Sequence, residues 1–192
     1  MKKNIMIDLD DTMCSLSSLL KESLQKRTGK NIPVSEWSDY NLSKVFDTHP
    51  DIIFKSIVED NLFEKVMILP GVQNGFKELS KMGFFLSIVT ARKEFDKDAE
   101  KTINWLKKHE IEFNSLHLVD HTVGKREIAK RLKPNYFIDD NLDYILSSHD
   151  HVGTSVLQRM PWNEGKETDE IIVVDNFSDF VDLVKKDTKK PA

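Results

Sequence analysis

Three carboxylates crowd the start of the chain, in Asp8-Leu9-Asp10-Asp11-Thr12, and two more stand together at Asp139-Asp140. Each group follows a short apolar run, Ile5-Met6-Ile7 or Tyr136-Phe137-Ile138. A third run, Phe84 to Val89, ends in Thr90-Ala91-Arg92, and Lys125 follows Gly124 at a predicted helix start. Oxygen ligands from several carboxylates suit Mg²⁺ rather than zinc. One carboxylate can attack phosphorus. A second can give a proton to the leaving oxygen and later take one from water. A hydroxyl and an ammonium can hold the non-bridging oxygens as charge moves. These residue types describe an Mg²⁺-dependent phosphoryl-transfer site.

Such groups must be positioned by strands. Buried, unpaired carboxylates are costly, so each cluster belongs at a strand's carboxyl end, open to water and cations. In a parallel sheet those ends share one edge, and residues distant in sequence can converge there. The chain supplies the pattern. Strands are expected at Ile5–Ile7, Phe84–Val89, Leu116–Val119, Tyr136–Ile138, Thr154–Leu157 and Ile171–Val174. Helices alternate with them. Val72, Phe76, Leu79 and Met82 form one stripe closed by Gly83. A second spans about 96–109 with Ala99, Ile103 and Leu106 inward, and a third runs from Gly124 to Leu132. Leu142, Ile145 and Leu146 mark a short one, and Phe177, Phe180, Val181 and Val184 the last. The tail from Lys185 to Ala192 is charged and is expected to fray. Alternation of this kind predicts an α/β fold with a parallel sheet between helices.

Residues 14–68 break the alternation. Leu16, Leu19, Leu20 and Leu24 predict a helix stopped by Gly29, and another begins after Pro50. The remaining apolar content is scattered and aromatic: Trp37, Tyr40, Phe46, Phe54 and Phe63. No strand is evident there. The stretch reads as a helical insertion, with the core domain formed by residues 1–13 and 69–192.

The motifs resemble those of the haloacid dehalogenase (HAD) superfamily of phosphatases. Asp8-Leu9-Asp10-Asp11-Thr12 matches its Asp-x-Asp-x-Thr/Val signature, Thr90 its second motif, Lys125 its third and Asp139-Asp140 its fourth. The resemblance covers roughly residues 4–160. It implies a Rossmann-like sheet with a type 1 helical cap after the first strand. It implies Asp8 as nucleophile and Asp10 as general acid/base, with Thr90 and Lys125 binding the phosphoryl group. Mg²⁺ would be held by Asp8, the Asp10 backbone carbonyl, and Asp139, Asp140 or both. The short helical cap, the Ile-Asp-Asp fourth motif and Pro161-Trp162-Asn163 are similar to the 5′(3′)-deoxyribonucleotidase branch and its bacterial and phage relatives. A nucleoside monophosphate is then the expected substrate. Trp37, Tyr40, Phe46 and Trp162 are candidate pocket residues, since rings stack on nucleobases.

Other readings stay beside these. Arg92 either binds substrate phosphate or salt-bridges the following acidic helix. Asp11 reads as a turn or capping residue. Cap aromatics also serve as core, Trp162 can pack beneath the site, and Asn163 can be a turn residue. His117 and His121 read as structural or solvated, as do His149 and His151, and no partner makes Cys14 a nucleophile. A sugar phosphate, a nucleic-acid phosphate end or a non-hydrolytic phospho-acceptor module are the alternative functions.

Composition narrows the classes. The 192 residues are 39% hydrophobic and 31% charged, which fits a globular chain. A net charge of −4 disfavours an extended nucleic-acid surface. A single cysteine excludes a disulfide framework or a Cys-based zinc cluster. No signal-peptide pattern and no run of about 20 apolar residues appears, so a cytosolic protein without a membrane span is expected. The oligomeric state is left open.

Overall fold

The computed structural model describes residues 3–97 and 99–189. Strand β1 is Asn4–Ile7, β2 Phe85–Thr90, β3 Ser115–Leu118, β4 Tyr136–Asp139, β5 Thr154–Gln158 and β6 Ile172–Val174. They form a six-stranded sheet in the order β3-β2-β1-β4-β5-β6, parallel throughout. The chain winds outward from β1 to one side, then returns to wind to the other from β4. The β1–β4 junction is therefore the topological switch point, where ligands bind outside the strand ends.

Side-chain alternation along β1 explains why the sheet is buried on both faces. Ile5 and Ile7 join one apolar cluster, and Met6 joins another. The first cluster takes Val72, Phe76 and Leu79 of helix α5 (Val72–Lys81), with Phe177, Phe180, Val181 and Val184 of α9 (Phe177–Lys189). The second takes Ala129 of α7 (Arg126–Leu132) and Ile145 of α8 (Leu142–Ser148). In β4, Tyr136 and Ile138 face the first cluster while Phe137 faces the second. Helices α5 and α9 approach closely because Gly75 has no side chain, and a Cβ there would meet Phe177 and Val181 at 2.8 Å.

Between β1 and β2 the chain is helical. It forms α1 (Leu16–Thr28), α2 (Leu42–Val45), α3 (Pro50–Glu59) and α4 (Leu62–Lys65), with a 3₁₀ turn at Val34–Glu36. Pro50 opens α3 at a position where its missing N–H costs nothing, and Gly29 closes α1 in the left-handed conformation at φ 73°. Leu20 and Leu24 of α1, with Ile57, Leu62 and Phe63, are continuous with the cluster behind Ile5 and Ile7. An isolated bridge pairs Cys14 with Ile68, so the insertion leaves and re-enters the fold at one place.

Two sequence expectations are corrected. Helix α6 (Glu100–Lys108) begins at Glu100, not near 96, because Asp96 accepts from the N–H groups of Lys101 and Thr102 and the chain turns at Ala99 with φ 57°. Its buried face is Thr102, Trp105 and Leu106, with Ala99 and Ile103 half-buried. The stretch from Lys185 does not fray: α9 continues to Lys189, with Lys185 paired to Glu78 and Asp182, and the remainder of the expected tail lies outside the described residues. Short helices α2 and α4 escape the periodicity argument, since four residues show no period.

Candidate active site

Asp8 follows β1 and Asp139 ends β4, so adjacent strands at the switch point bring the two carboxylates together. Lys125, at the start of α7, reaches between them. Its Nζ donates to Asp8 Oδ1 and, at 2.7 Å, to Asp139 Oδ2. All three side chains are buried. Burial alone would strip the charge from Lys125, but Asp139 and Asp8 more than reverse this and hold the ammonium firmly protonated. Burial pushes the Asp8 carboxyl up to about 7, against the pull of Lys125 and with the help of Asp139 and Asp10. Burial also raises Asp139, opposed by Lys125. For Asp140, burial and then Asp139 and Asp8 drive the carboxyl well above the usual range.

One ammonium thus faces three buried carboxylates. Oxygens of Asp8, Asp139 and Asp140 lie within 4.8 Å of one another, an all-oxygen set with surplus negative charge. That donor chemistry fits a hard divalent cation. The Asp10 carboxylate does not belong to this set, which leaves only its backbone carbonyl for a cation. Thr90 ends β2, beside β1, and its Oγ is fully buried without a protein partner. Thr12 Oγ is in the same condition. Orphaned buried hydroxyls are rare, and a bound phosphoryl oxygen is one group that would satisfy them.

Asp140 is positioned from the segment after β5. Trp162 Nε1 donates to Asp140 Oδ2 at 3.0 Å, and Asn163 Nδ2 donates to the Asp140 carbonyl at 2.8 Å. Gln158 Nε2 donates to the Asp11 carbonyl at 2.8 Å. Trp162 therefore holds a carboxylate as well as packing, and Asn163 is a turn residue that also braces the site. Gln158 escapes sequence reasoning: as the last residue of an apolar strand it carries no periodic or motif signal. Asp11, at φ 54°, caps α1 by accepting from Ser17 N at 2.9 Å and Ser17 Oγ at 2.8 Å.

Asp10 is held by a different cation. Arg92 grips it with two donors, Nε to Oδ2 at 2.8 Å and Nη2 to Oδ1 at 2.5 Å. The structure thus places Arg92 on Asp10 rather than in the cavity where a phosphate ligand was expected. Its side chain is 1% exposed and committed to Asp10. It does not pair with the following acidic helix either, although Thr102 of α6 lies 3.4 Å from Nη1.

The carboxylates open onto a cavity of about 690 Å³ between the strand ends and the helical insertion, whereas Lys125 and Thr90 lie behind its lining. Asp8, Asp10, Asp139 and Asp140 form its polar side. Trp37, Tyr40 and Trp162 line it, with the Trp37 and Trp162 rings 6.1 Å apart and Tyr40 edge-on to Trp162 at 6.4 Å. Phe54, Phe63 and Phe95 also line it, with Phe54 stacked on Phe95 at 5.2 Å. Phe46 is corrected: it is fully buried behind Trp37, edge to face at 5.8 Å, and does not line the cavity. Phe95 comes from the loop after β2, outside the insertion. His121 sits at the rim, 3.0 Å from Glu94, while His117 lies between Ser115 and Arg131, so the two histidines share no ligand site.

Among solved structures, the chain resembles a haloacid dehalogenase-like hydrolase from Streptococcus pneumoniae, with 14% identity and a TM-score of 0.64 over 95% of this chain and 98% of that one. A HAD phosphatase from Thermococcus onnurineus gives 15% identity and a TM-score of 0.55 over 95% and 97%. CbbY from Rhodobacter sphaeroides, solved in complex with phosphate, gives 12% and 0.62 over 94% and 96%. At these identities the likeness shows the fold alone. The family is given by sequence. Residues 2–189 match the model of the 5′ nucleotidase, deoxy (pyrimidine), cytosolic type C protein family, and the chain belongs to it. No curated protein matches. The protein is therefore a phosphatase of the nucleotidase type. Among the described residues, no helix is long and apolar enough to cross a membrane.

Proposed function

We propose that this chain is an Mg²⁺-dependent phosphomonoesterase that hydrolyses nucleoside monophosphates, preferring deoxyribonucleotides, through an aspartyl-phosphate on Asp8. The observation that carries the reading is the meeting of Asp8, Lys125, Asp139 and Asp140 at the switch point, with Asp10 facing the same cavity. Asp8 attacks phosphorus while Asp10 protonates the departing nucleoside oxygen. Water activated by Asp10 then cleaves the aspartyl-phosphate. Lys125 and Thr90 hold the phosphoryl oxygens. Asp8, Asp139, Asp140 and the Asp10 carbonyl hold Mg²⁺, which when bound offsets the repulsion between an anionic nucleophile and an anionic substrate. Residues 14–68 act as the cap, and rings from both sides of the cavity receive the base. The family's description names deoxy nucleotidases, which supports the deoxyribonucleotide preference.

Asp51, Glu94 and Asp143 at the rim disfavour a nucleic-acid end, which would bring further phosphates to an acidic mouth. Aromatic lining of this extent has no use for a sugar phosphate. A stable phospho-acceptor is disfavoured because Asp10 stands ready to drive hydrolysis. Phosphate release should be measured across ribo- and deoxyribonucleoside 5′- and 3′-monophosphates and sugar phosphates, with Mg²⁺ or with a chelator. The expected result is Mg²⁺-dependent release from nucleoside monophosphates. Turnover confined to sugar phosphates, or undiminished by chelator, would contradict the reading.

A further inference from the structure

We propose that Arg92 is the positioning residue for Asp10, fixing the carboxylate that exchanges the proton, and that Phe63 of the insertion covers the guanidinium. The inference rests on the reading of Asp10 as acid/base given above.

A guanidinium has five N–H donors and no way to shed its charge, so burying one requires partners on most sides. Arg92 is among the largest fully buried side chains of the protein. Two of its donors form a fork on Asp10, at 2.8 and 2.5 Å. Nη1 meets Thr102 Oγ at 3.4 Å, and Nη2 lies 3.8 Å from Cys14 Sγ. The guanidinium carbon sits 3.9 Å from the centre of the Phe63 ring, a cation–π contact in a dry setting. The support extends further back. Thr102 donates to Asp96 Oδ2 at 2.7 Å, and Asp96 also accepts from the N–H groups that open α6. Arg92 is therefore anchored by one helix and covered by another.

Its placement separates it from the substrate. Asp10 lines the cavity and its side chain is 21% exposed, whereas Arg92 does not line it. The fork lies behind the carboxylate. A carboxylate offers about four lone-pair positions, and a bidentate arginine takes two of them. Cys14 Sγ, 3.6 Å from Oδ1, meets a third, and what remains of the carboxylate lines the cavity with its plane held. In the first half-reaction a bond forms from Asp8 oxygen to phosphorus and the ester P–O bond breaks. Its electron pair stays on the leaving oxygen, which takes the proton of Asp10. In the second half, water attacks phosphorus, the Asp8–phosphorus bond breaks, and Asp10 recovers a proton. Both transfers need Asp10 oxygen at hydrogen-bond distance from an atom in the cavity. A lysine could supply the charge but not the fork.

The test separates positioning from mere structure by leaving group. A nucleoside alkoxide needs a proton to depart, and a p-nitrophenolate does not. Steady-state kinetics should be run on a deoxyribonucleoside monophosphate and on p-nitrophenyl phosphate, for wild type, Arg92→Lys, Arg92→Met, Asp10→Asn and Asp8→Asn. Arg92→Met should lower kcat/KM, which covers the steps up to departure of the leaving group and not the shared hydrolysis of the aspartyl-phosphate, roughly 10²-fold on the nucleotide and less than about tenfold on the aryl phosphate. Arg92→Lys should fall between, and it carries the test if the methionine variant fails to fold. Phe63→Leu should show a weaker form of the same discrimination. Equal losses on both substrates in the Arg92 variants, while Asp10→Asn discriminates, would overturn the inference. A raised KM with unchanged kcat would do the same and make Arg92 a phosphate contact. Full activity of Asp8→Asn would instead overturn the proposed function, and so the two failures are distinguishable.

Discussion

The polar and aromatic sides of the cavity are built by opposite strategies. The polar side comes from strand ends separated by more than a hundred residues and braced by hydrogen bonds that leave little freedom. Asp8 and Asp139 share Lys125, Asp140 is held by Trp162, and Asp10 by Arg92. The aromatic side comes mainly from the insertion, on helices and turns, and two of its rings are open, Tyr40 at 50% exposed and Phe54 at 43%, while Trp37, Phe63 and Trp162 are buried. Rigid positioning suits a reaction in which small displacements are costly. Open rings suit recognition of a substrate that must enter and leave. Substitutions on the polar side should therefore act on turnover, and those on the aromatic side on affinity.

The largest effect is expected at Lys125. Lys125→Met removes the cation shared by Asp8 and Asp139 and should reduce kcat roughly 10³-fold, measured by phosphate release at saturating nucleotide. Thermal melts should show the variant gaining more from added Mg²⁺ than wild type does, since the carboxylates have lost their other counter-charge. Next comes Trp162→Phe. The ring is kept and the N–H to Asp140 is lost, so about tenfold more Mg²⁺ should be needed for half-maximal activity, with substrate KM little changed. A purely packing role would leave the Mg²⁺ titration unmoved. Tyr40→Ala and Phe54→Ala should each raise KM for nucleotides at nearly constant kcat, by an amount equivalent to about 1 kcal/mol. A kcat effect without a KM effect would erase the contrast between the two sides.

The smallest effect lies outside the cavity, where Asp60 ties the insertion together. It accepts from Ser23 Oγ at 2.5 Å and from Arg27 Nη2 at 3.0 Å, and these bonds, Ser23 first, lower its carboxyl below the ordinary range. A lowered folded-state value means the contribution is fully present above the unfolded value and is lost as pH falls through the folded one. Asp60→Asn should cost about 1 kcal/mol or less at neutral pH, and the difference from wild type should vanish in acid. Denaturant melts at neutral and acidic pH check this.

The same contrast governs how much of the molecule is legible in its sequence. Strand-end chemistry is legible because three carboxylates closing a short apolar run would be costly anywhere but at an open, cation-binding edge. The switch-point geometry follows once the strands are in order. The sheet is accordingly readable strand by strand, to within a residue or so at each end. The aromatic side is legible only as composition. Phe46 and Tyr40 look alike in sequence, yet one is buried behind Trp37 and the other opens to the cavity. Which ring faces inward depends on packing among four-residue helices that have no period to read. Arg92 shows the remaining limit. Its position after Thr90 is visible in the sequence, but its partner is not, because a side chain of that length reaches several candidates. Trp162 and Asn163 stand out by resemblance, while their bonds to Asp140 require the loop after β5 to fold back over the site.

The central claim is that Asp8 carries the phosphoryl group. Rapid acid quench of the enzyme during turnover with Mg²⁺ and a nucleoside monophosphate, followed by peptide mass spectrometry, tests it directly. Asp10→Asn protein should be included, since slowed hydrolysis of the second step would enrich the intermediate. The predicted result is a phosphorylated peptide whose modification maps to Asp8 and disappears in Asp8→Asn. Steady phosphate release with Asp8 unmodified at every quench time, or with the label on another residue, would contradict the account.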